Sequence, residues 1–198
     1  CVISGFKTFG NTKKNKTKNI TGINDFIEDF LNKKLVLNTP TFMFNKSSLV
    51  KLNFDEKLTR AQDLDFLFKF FVLKKRSFSQ IKDVLVYVRE HENSISASFK
   101  KNKKNDIISE IKVREKILNH ACDVYSKEII NLALYFYLLN VDKARANLFY
   151  FTFYKYTISI WNISPFTMIK LISLSLITFT TGRGTHLYKD FYSKFNSL

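Results

Sequence analysis

Three segments decide the fold of this 198-residue chain: N-T-P-T-F-M-F at residues 38–44, N-F-D-E-K-L-T-R-A-Q-D-L-D-F-L-F-K-F at residues 53–70, and D-V-L-V-Y-V-R-E-H-E-N-S-I-S at residues 83–96. The first predicts a short buried strand over residues 41–44. The second predicts a helix over residues 59–73, which is apolar on most of its circumference from Leu64 onward and therefore buried on several sides. The third contains an unbroken β-branched and aromatic run at residues 84–88, which predicts a strand. Because strands and helices alternate, this half of the chain is expected to be α/β.

The residues before these segments continue the same alternation. Residues 2–9 predict a strand, and the Lys-, Asn- and Thr-rich residues 11–19 predict a loop. An amphipathic helix is expected next, with Asn24 or Asp25 as its cap. Its apolar face is formed by Phe26, Ile27, Phe30 and Leu31. A brief helix is also predicted from Ser47 through residue 52.

The character of the sequence changes near residue 98. Residues 100–105 form a Lys- and Asn-rich linker, and the residues after it predict helices with no convincing strand. The sequence therefore predicts two domains, an α/β domain over residues 1–98 and an all-α region over residues 99–198.

Composition and charge limit the class of protein and its partners. A hydrophobic content of 45%, which includes 21 Phe, excludes a disordered chain. The formal net charge of +15 favours an anionic partner, although a biased coding composition would produce the same excess of lysine. Only six of the 32 basic residues are Arg, the residue best suited to reading base edges, so nucleic acid is the least favoured partner.

The two cysteines, Cys1 and Cys122, provide neither a disulfide framework nor the ligand spacing of a zinc site. A reducing cytoplasm is therefore the expected location. The first residues show neither an initiator Met nor the basic and then apolar pattern of a signal peptide, so a truncated chain is expected.

The order and spacing of the three segments resemble the second half of family-two glycosyltransferases, which have the GT-A fold. The family pattern is a T/S-P strand, a G-F-D-E turn, an acidic E-D helix start, and a strand that ends in Y-R-x-H-x-x-S-x-S. The matching positions are Thr39 and Pro40, the turn at residues 53–56 with Asn53 in place of Gly, Gln62 and Asp63, and Arg89 with His91, Ser94 and Ser96. The resemblance covers residues 1–98 and, more loosely, the helical tail through Ala144 and Arg145. It implies an incomplete GT-A (Rossmann-like) half-domain followed by an all-α extension, in an enzyme that transfers sugar from a nucleotide sugar to a cell-surface polysaccharide or glycan acceptor.

An inverting sugar transfer needs a carboxylate that removes the proton from the acceptor hydroxyl. By the resemblance, this general base is Asp63. Gln62, Asp65, Thr39 and Pro40 are expected to face the acceptor or to support the base. The alternative for Asp63 and Asp65 is that they only complement the positive end of a helix dipole.

The turn after the strand at residues 84–88 is expected to serve the donor. The resemblance implies that Arg89 binds the donor diphosphate and that His91 is a diphosphate partner and metal ligand. Ser94 and Ser96 are candidates for hydrogen bonds to the same phosphates. The alternative is that His91 is simply solvated in a polar loop.

Upstream of a strand like that at residues 2–9, the family has a D-x-D pair that holds the metal on the nucleotide diphosphate and an early βαβ unit for the nucleotide, and this sequence shows neither of them there. The resemblance therefore implies that a divalent metal, Mg or Mn, is mostly ligated by an upstream half, and that the isolated chain is inactive. The expected partners are a nucleotide sugar donor and a glycan or lipid-linked acceptor. The alternative function is that of a non-catalytic, basic remnant that binds a membrane surface or a partner protein.

The helical tail indicates a second kind of partner. Residues 164–181 predict one helix with Ser164 as its cap, Pro165 at its first position and Gly182 at its end. This helix is shorter than a bilayer requires. Residues 148–160, which carry five Phe or Tyr residues ahead of a lysine, add to a pattern typical of interfacial helices on anionic membrane. Peripheral attachment to the inner face of the cell membrane is thus expected. The alternative is ordinary helix packing against the catalytic half, and the two roles are compatible on different faces.

Overall fold

A computed structural model describes residues 1–10, 17–18, 22–36, 38–75, 77–90, 103–181, 188 and 191. The chain divides into two units, Cys1–Asn102 and Lys103–Leu198. The first unit is mixed α/β and the described part of the second is helical. Among the predicted site residues, His91, Ser94 and Ser96 lie outside the described residues, as do Gly182 and most of the predicted loop at residues 11–19.

The first unit is built around strand β1 (Val2–Gly10), which the sequence predicts within one residue. On one side β1 pairs in parallel with β4 (Ser79–Glu90), and on the other it pairs antiparallel with two short strands, β2 (Thr17–Lys18) and β3 (Phe42–Met43). The pairing with β4 shifts register on both sides of Gly5, so two bulges interrupt an otherwise long parallel ladder. The sheet has four strands and mixed direction.

The position of β1 corrects one expectation. A truncated half-domain predicts that the first strand has an open edge, yet β1 has partners along both edges. Its residues Ile3, Ser4, Phe6 and Thr8 are all buried, so both faces of the strand are covered. The short strand β2 also lies within the region that the sequence predicts as loop.

Helix α1 (Phe26–Leu31) confirms the predicted amphipathic helix and its cap. The Asp25 carboxylate accepts a hydrogen bond from the Glu28 amide at 2.8 Å, which satisfies one of the free N–H groups of the first turn. Phe26, Ile27 and Leu31 are buried on its inner side.

The segment between α1 and α2 is less regular than the sequence predicts. The expected strand over residues 41–44 is reduced to the two residues of β3, because Thr39–Thr41 forms a 3-10 turn with Pro40 near its start. Only the first residue of β3 is buried, and Met43 is 72% exposed. The helix predicted from residue 47 to residue 52 is a 3-10 turn over Lys46–Leu49.

Helix α2 (Gln62–Phe68) begins three residues later than the predicted start at residue 59. The cause is Ala61, whose φ of 57° places it in the left-handed region and excludes it from the helix. The helix then continues as a π-helical turn over Lys69–Leu73, which agrees with the predicted end. Residues 64–68 are all buried, as the apolar pattern indicates.

The core of the first unit is mainly phenylalanine. Phe70 is fully buried, and its ring lies edge-on to Phe44 and Phe71, each at a centroid distance of 4.9 Å. Phe71 in turn contacts Phe26 of α1 at 4.9 Å and Phe42 of β3 at 6.2 Å. Each buried ring contributes about 1.5–3 kcal/mol by leaving water, so this cluster holds α1, α2 and β3 together.

The second unit contains four helices and no strand among its described residues: α3 (Lys104–Val124), α4 (Lys127–Ala146), α5 (Tyr150–Ile158) and α6 (Pro165–Thr181). Helix α4 packs against α3 and α5, and α5 packs against α6. The buried Tyr137 of α4 donates a hydrogen bond to the Tyr156 carbonyl at 2.7 Å. Burial raises the pKa of the Tyr137 phenol, which therefore stays neutral in the core.

The ends of these helices test the sequence pattern. Helix α3 begins at Lys104, so the last two residues of the predicted linker 100–105 are helical. Helix α6 starts at Pro165 and ends at Thr181, as its cap and proline predict. In the described residues, no helix is long and apolar enough to cross a membrane.

Candidate active site around Asp63

The start of α2 holds the predicted base in a defined orientation. Asp63 lies in the first turn of α2, and its Oδ1 atom accepts a hydrogen bond from the Leu64 amide at 2.8 Å. That amide is one of the four that a helix leaves without a partner at its start, so the carboxylate stabilises the helix end. The structure therefore contains the alternative role of Asp63 at the positive end of the helix dipole. This role uses only one of its two carboxylate oxygens, Oδ1.

The second oxygen of Asp63 faces a residue from a distant segment. The Thr39 hydroxyl donates to Asp63 Oδ2 at 3.4 Å. This distance is long for a hydrogen bond between two oxygens, whose usual separation is about 2.7–2.8 Å. The 3-10 turn that carries Thr39 contacts both β1 and β4, so the sheet positions it. Thr39 and Asp63 are the two predicted site residues that the structure brings into direct contact.

Asp65 occupies a different environment from Asp63 although it is only two residues away. It is 0% exposed, and its Oδ2 atom lies 2.6 Å from the Lys69 ammonium one turn later in the helix. A buried carboxylate that is paired with a close cation is held in a fixed position. The structure therefore gives Asp65 a role in supporting α2, in agreement with the supporting option that the sequence allows.

Gln62 and Pro40 also have identifiable local roles. The Gln62 amide group donates a hydrogen bond to the Leu58 carbonyl, which ties the first residue of α2 to the turn before it. Pro40 is exposed in the 3-10 turn, where its fixed φ favours the conformation that precedes β3. Neither contact reaches Asp63.

Apolar side chains of α2 and of the turn before it form a rigid support for the site. Leu64 and Leu67 are buried, and the ring of Phe66 stacks on Phe54 at a centroid distance of 4.4 Å. Phe54 belongs to the N-F-D-E turn of the sequence pattern. The same turn is closed by Asp55, whose carboxylate accepts a hydrogen bond from the Lys57 amide at 3.0 Å. The turn and the helix start are thus held together by side chains on both sides of Ala61.

Arg89 is the one predicted donor residue within the described part of the chain. It lies near the carboxyl end of β4, opposite Phe9 in the parallel register, and its side chain is exposed. Loops that follow such strand ends commonly hold ligand-binding groups. Among the described residues, no group of three or more His, Cys, Asp or Glu side chains is arranged to hold a metal ion.

Two polar residues that the sequence patterns did not single out organise the chain before α1. Asp29 is buried, and its Oδ2 atom accepts hydrogen bonds from the amides of Asn24 at 2.7 Å and Asp25 at 3.0 Å. Gln80 of β4 binds both the amide and the carbonyl of Ile23 through its side chain. Local spacing could not reveal the second contact, because its partners are separated by 57 residues.

In the helical unit, Arg145 has a structural environment. Its Nε atom lies 2.7 Å from Asp142 Oδ1, and its guanidinium stacks over the Tyr188 ring at 3.7 Å. Burial raises the pKa of the Tyr188 hydroxyl, which remains protonated beside this cation. The neighbouring Ala144 is fully buried. The Ala144 and Arg145 pair therefore contributes to helix packing.

Comparisons with family models, with curated proteins and with solved structures found no match to this chain. The functional proposal therefore rests on the geometry of the site and on the sequence pattern.

Ala61 provides a stability test of the turn before α2. A left-handed conformation costs an L-residue about 1–2 kcal/mol, whereas glycine adopts it freely at a smaller entropic cost. Ala61→Gly is therefore expected to stabilise the first unit by about 0.5–1 kcal/mol, measured as a rise of a few degrees in the thermal unfolding midpoint. Ala133→Gly, in the buried interior of α4, is the control with the opposite sign. A lower midpoint for Ala61→Gly would show that Ala61 is not strained.

Proposed function

We propose that this chain provides the acceptor side of an inverting glycosyltransferase related to family two. Its substrate class is a nucleotide sugar with a hydroxyl acceptor on a cell-surface glycan or a lipid-linked glycan. The observation that carries the proposal is the environment of Asp63: one carboxylate oxygen is held by the helix start, and the other contacts only weakly the hydroxyl of Thr39.

This geometry supports general base catalysis. The Leu64 amide orients the carboxylate, while the long contact with Thr39 leaves Oδ2 able to accept a shorter hydrogen bond from an acceptor hydroxyl. As the acceptor oxygen forms its bond to the anomeric carbon, its proton moves to Asp63 Oδ2. The bond between the sugar and the nucleoside diphosphate breaks, and the diphosphate leaves with the bonding electrons. Attack from the face opposite the leaving group inverts the anomeric centre.

Burial distinguishes the two carboxylates of the Q-D-L-D segment. Asp65 is enclosed and paired with Lys69, so an acceptor cannot reach it without unfolding of the helix. Asp63 is only partly buried. The base is therefore assigned to Asp63, and Asp65 with Lys69 stabilises the helix that carries it.

The resemblance also implies a divalent ion, Mg or Mn, which offsets the negative charge that develops on the departing diphosphate. Within the described residues, Arg89 is the residue that the sequence pattern assigns to the same diphosphate, and its side chain is exposed. Its exposed position near the carboxyl end of the parallel strand β4 supports that assignment.

A transfer assay tests the proposal. The natural protein is incubated with a panel of labelled nucleotide sugars, with Mg or Mn, and with extracted glycan and glycolipid acceptors. Transfer of label, with inverted configuration at the new linkage, is the expected result. Absence of both transfer and nucleotide-sugar binding across the panel contradicts the proposal and favours the non-catalytic, basic remnant instead.

Arg89→Ala is expected to weaken nucleotide-sugar binding by about tenfold or more, because hydrogen bonds to charged groups contribute about 1.5–3 kcal/mol. Acceptor KM should change little. Lys82→Ala is the matched control, since Lys82 is an exposed cation of the same strand. Calorimetric titration with the preferred donor measures the effect. Equal donor affinity in Arg89→Ala and the parent protein would remove Arg89 from the donor site.

A further inference from the structure

Helix α6 is apolar on two opposite faces. The inner face carries Met168, Leu171 and Ser175, which are buried against the rest of the helical unit. The outer face carries four large apolar side chains that are about half exposed or more: Phe166 at 86%, Ile169 at 52%, Leu176 at 51% and Ile177 at 47%. Packing within the unit therefore accounts for only one side of the helix.

The outer side chains form a continuous stripe. Successive members of this set are three, seven and one residues apart, which places them on one face of the helix. The exposed Ser173 and Thr180 lie on the same face. The Thr180 hydroxyl donates to the Leu176 carbonyl of its own helix at 2.9 Å, and Thr181 bonds to Ile177 in the same way at 2.6 Å. A hydroxyl that bonds to its own helix does not require water, so these threonines are compatible with an apolar environment.

Helix α5 presents a second, shorter stripe. Phe151 is 80% exposed and Ile158 is 56% exposed, and the exposed Lys155 lies between them on the same face. Leu148 precedes the helix and Trp161 follows it, and both are exposed. Exposed aromatic residues next to lysines are typical of helices that lie at the boundary between lipid headgroups and acyl chains.

The two helices form an antiparallel pair, the α5–α6 hairpin (residues 150–181). Tyr154 and Ser175 share a hydrogen bond of 3.0 Å, and the Tyr150 ring contacts Phe179 at 5.6 Å, so later residues of α5 meet earlier residues of α6. The pair is therefore held by specific contacts that do not use the exposed stripes.

Charge indicates what covers these stripes. From residue 146 to residue 181 the chain contains two lysines and no acidic residue, and both lysines, Lys155 and Lys170, are exposed. A second copy of the chain carries the same net charge of +15 and the same two exposed lysines, which disfavours self-association. An anionic lipid surface supplies both the apolar phase that the stripes lack and the opposite charge.

We propose that the α5–α6 hairpin docks in the plane of an anionic phospholipid surface. Phe166, Ile169 and Leu176 enter the boundary between headgroups and acyl chains, and Lys155 and Lys170 contact lipid phosphates. The docking is independent of the sugar-transfer proposal, because none of these residues belongs to the candidate active site.

Trp161 is the only tryptophan of the chain and therefore reports on docking directly. The full chain is mixed with vesicles of phosphatidylcholine alone or with added phosphatidylglycerol. A blue shift of tryptophan emission and co-sedimentation are expected only with the anionic vesicles, and both should decrease as salt is raised. Equal binding to both vesicle types, or binding to neither, overturns the proposal.

Two double variants separate the apolar from the electrostatic contribution. Ile169→Ser with Leu176→Ser is expected to weaken vesicle binding by about tenfold or more through lost apolar burial. Lys155→Gln with Lys170→Gln is expected to weaken it by about fivefold for each lysine. All four side chains are exposed, so the fold should survive, which circular dichroism checks.

Matched controls come from the first unit. Met43→Ser with Val50→Ser removes two exposed apolar side chains, and Lys74→Gln with Lys82→Gln removes the same number of exposed charges. If the controls weaken vesicle binding as much as the hairpin variants, the hairpin is not the docking surface. If the chain self-associates with rising concentration and the Ile169 and Leu176 variant abolishes this, the stripe binds a second copy of the chain. If the chain binds duplex nucleic acid in a salt-sensitive way and does not bind vesicles, its positive charge serves nucleic acid. Either result overturns lipid docking.

Discussion

Asp63→Asn in the natural protein is expected to lower sugar-transfer turnover by about 100-fold or more, with nucleotide-sugar affinity unchanged. Asparagine has the same shape as aspartate, and its amide oxygen can still accept the Leu64 N–H bond that orients the side chain. It cannot accept the acceptor proton at neutral pH. The substitution therefore separates the structural role of Asp63 at the helix start from its role as a base.

Asp83→Asn is the matched control for charge, because Asp83 is an exposed carboxylate on β4. Its turnover should equal that of the parent protein. Thermal unfolding of both variants verifies that α2 remains folded. If Asp63→Asn keeps full turnover, or if donor binding is lost in parallel with turnover, Asp63 does not act as the base.

Phe70→Ala is expected to destabilise the first unit by about 3–5 kcal/mol, because it leaves a cavity among fully buried rings. For a unit of this size, that loss lowers the unfolding midpoint by about 12 °C or more. Phe70, in the π-helical turn after α2, contacts Phe44, the residue directly after β3, so the position of Asp63 relative to Thr39 should also loosen. Differential scanning calorimetry and the transfer assay measure the two effects.

Phe54→Ala is the control for the phenylalanine cluster. Phe54 stacks on Phe66 but is 48% exposed, so it loses little apolar burial and leaves no closed cavity. Its expected cost is about 0.5–1.5 kcal/mol, the value of an aromatic pair. Similar destabilisation by Phe54→Ala and Phe70→Ala would show that burial at residue 70 is not what holds α2.

Local sequence signals predicted the helix starts that are set by residues close by in the sequence. Asp25 caps α1 through its own first turn, and Pro165 opens α6, where a missing N–H has no cost. The period of apolar residues also predicted the buried side of α1 and the enclosed part of α2 after Leu64. These features require only contacts within a few positions along the chain.

The start of α2 shows where such signals fail. Residues 59–61 have side chains compatible with a helix, yet Ala61 is left-handed and the helix begins at Gln62. The reduction of β3 to two residues has a similar cause, since the 3-10 turn at Thr39–Thr41 packs against β1 and β4. At Thr39–Thr41 these tertiary contacts override the preference of the local sequence.

The sequence by itself determined the α/β character of the first unit, the helices of the second, and the segment that carries the candidate base. The tertiary structure alone decided which of the two neighbouring carboxylates is accessible, because Asp65 is enclosed by packing that its sequence position does not reveal. It also placed Thr39 beside Asp63 from 24 residues away and gave β1 partners on both edges. Chain spacing sets local hydrogen bonds and amphipathic faces, whereas burial and long-range pairing depend on how the elements within a unit pack around its core.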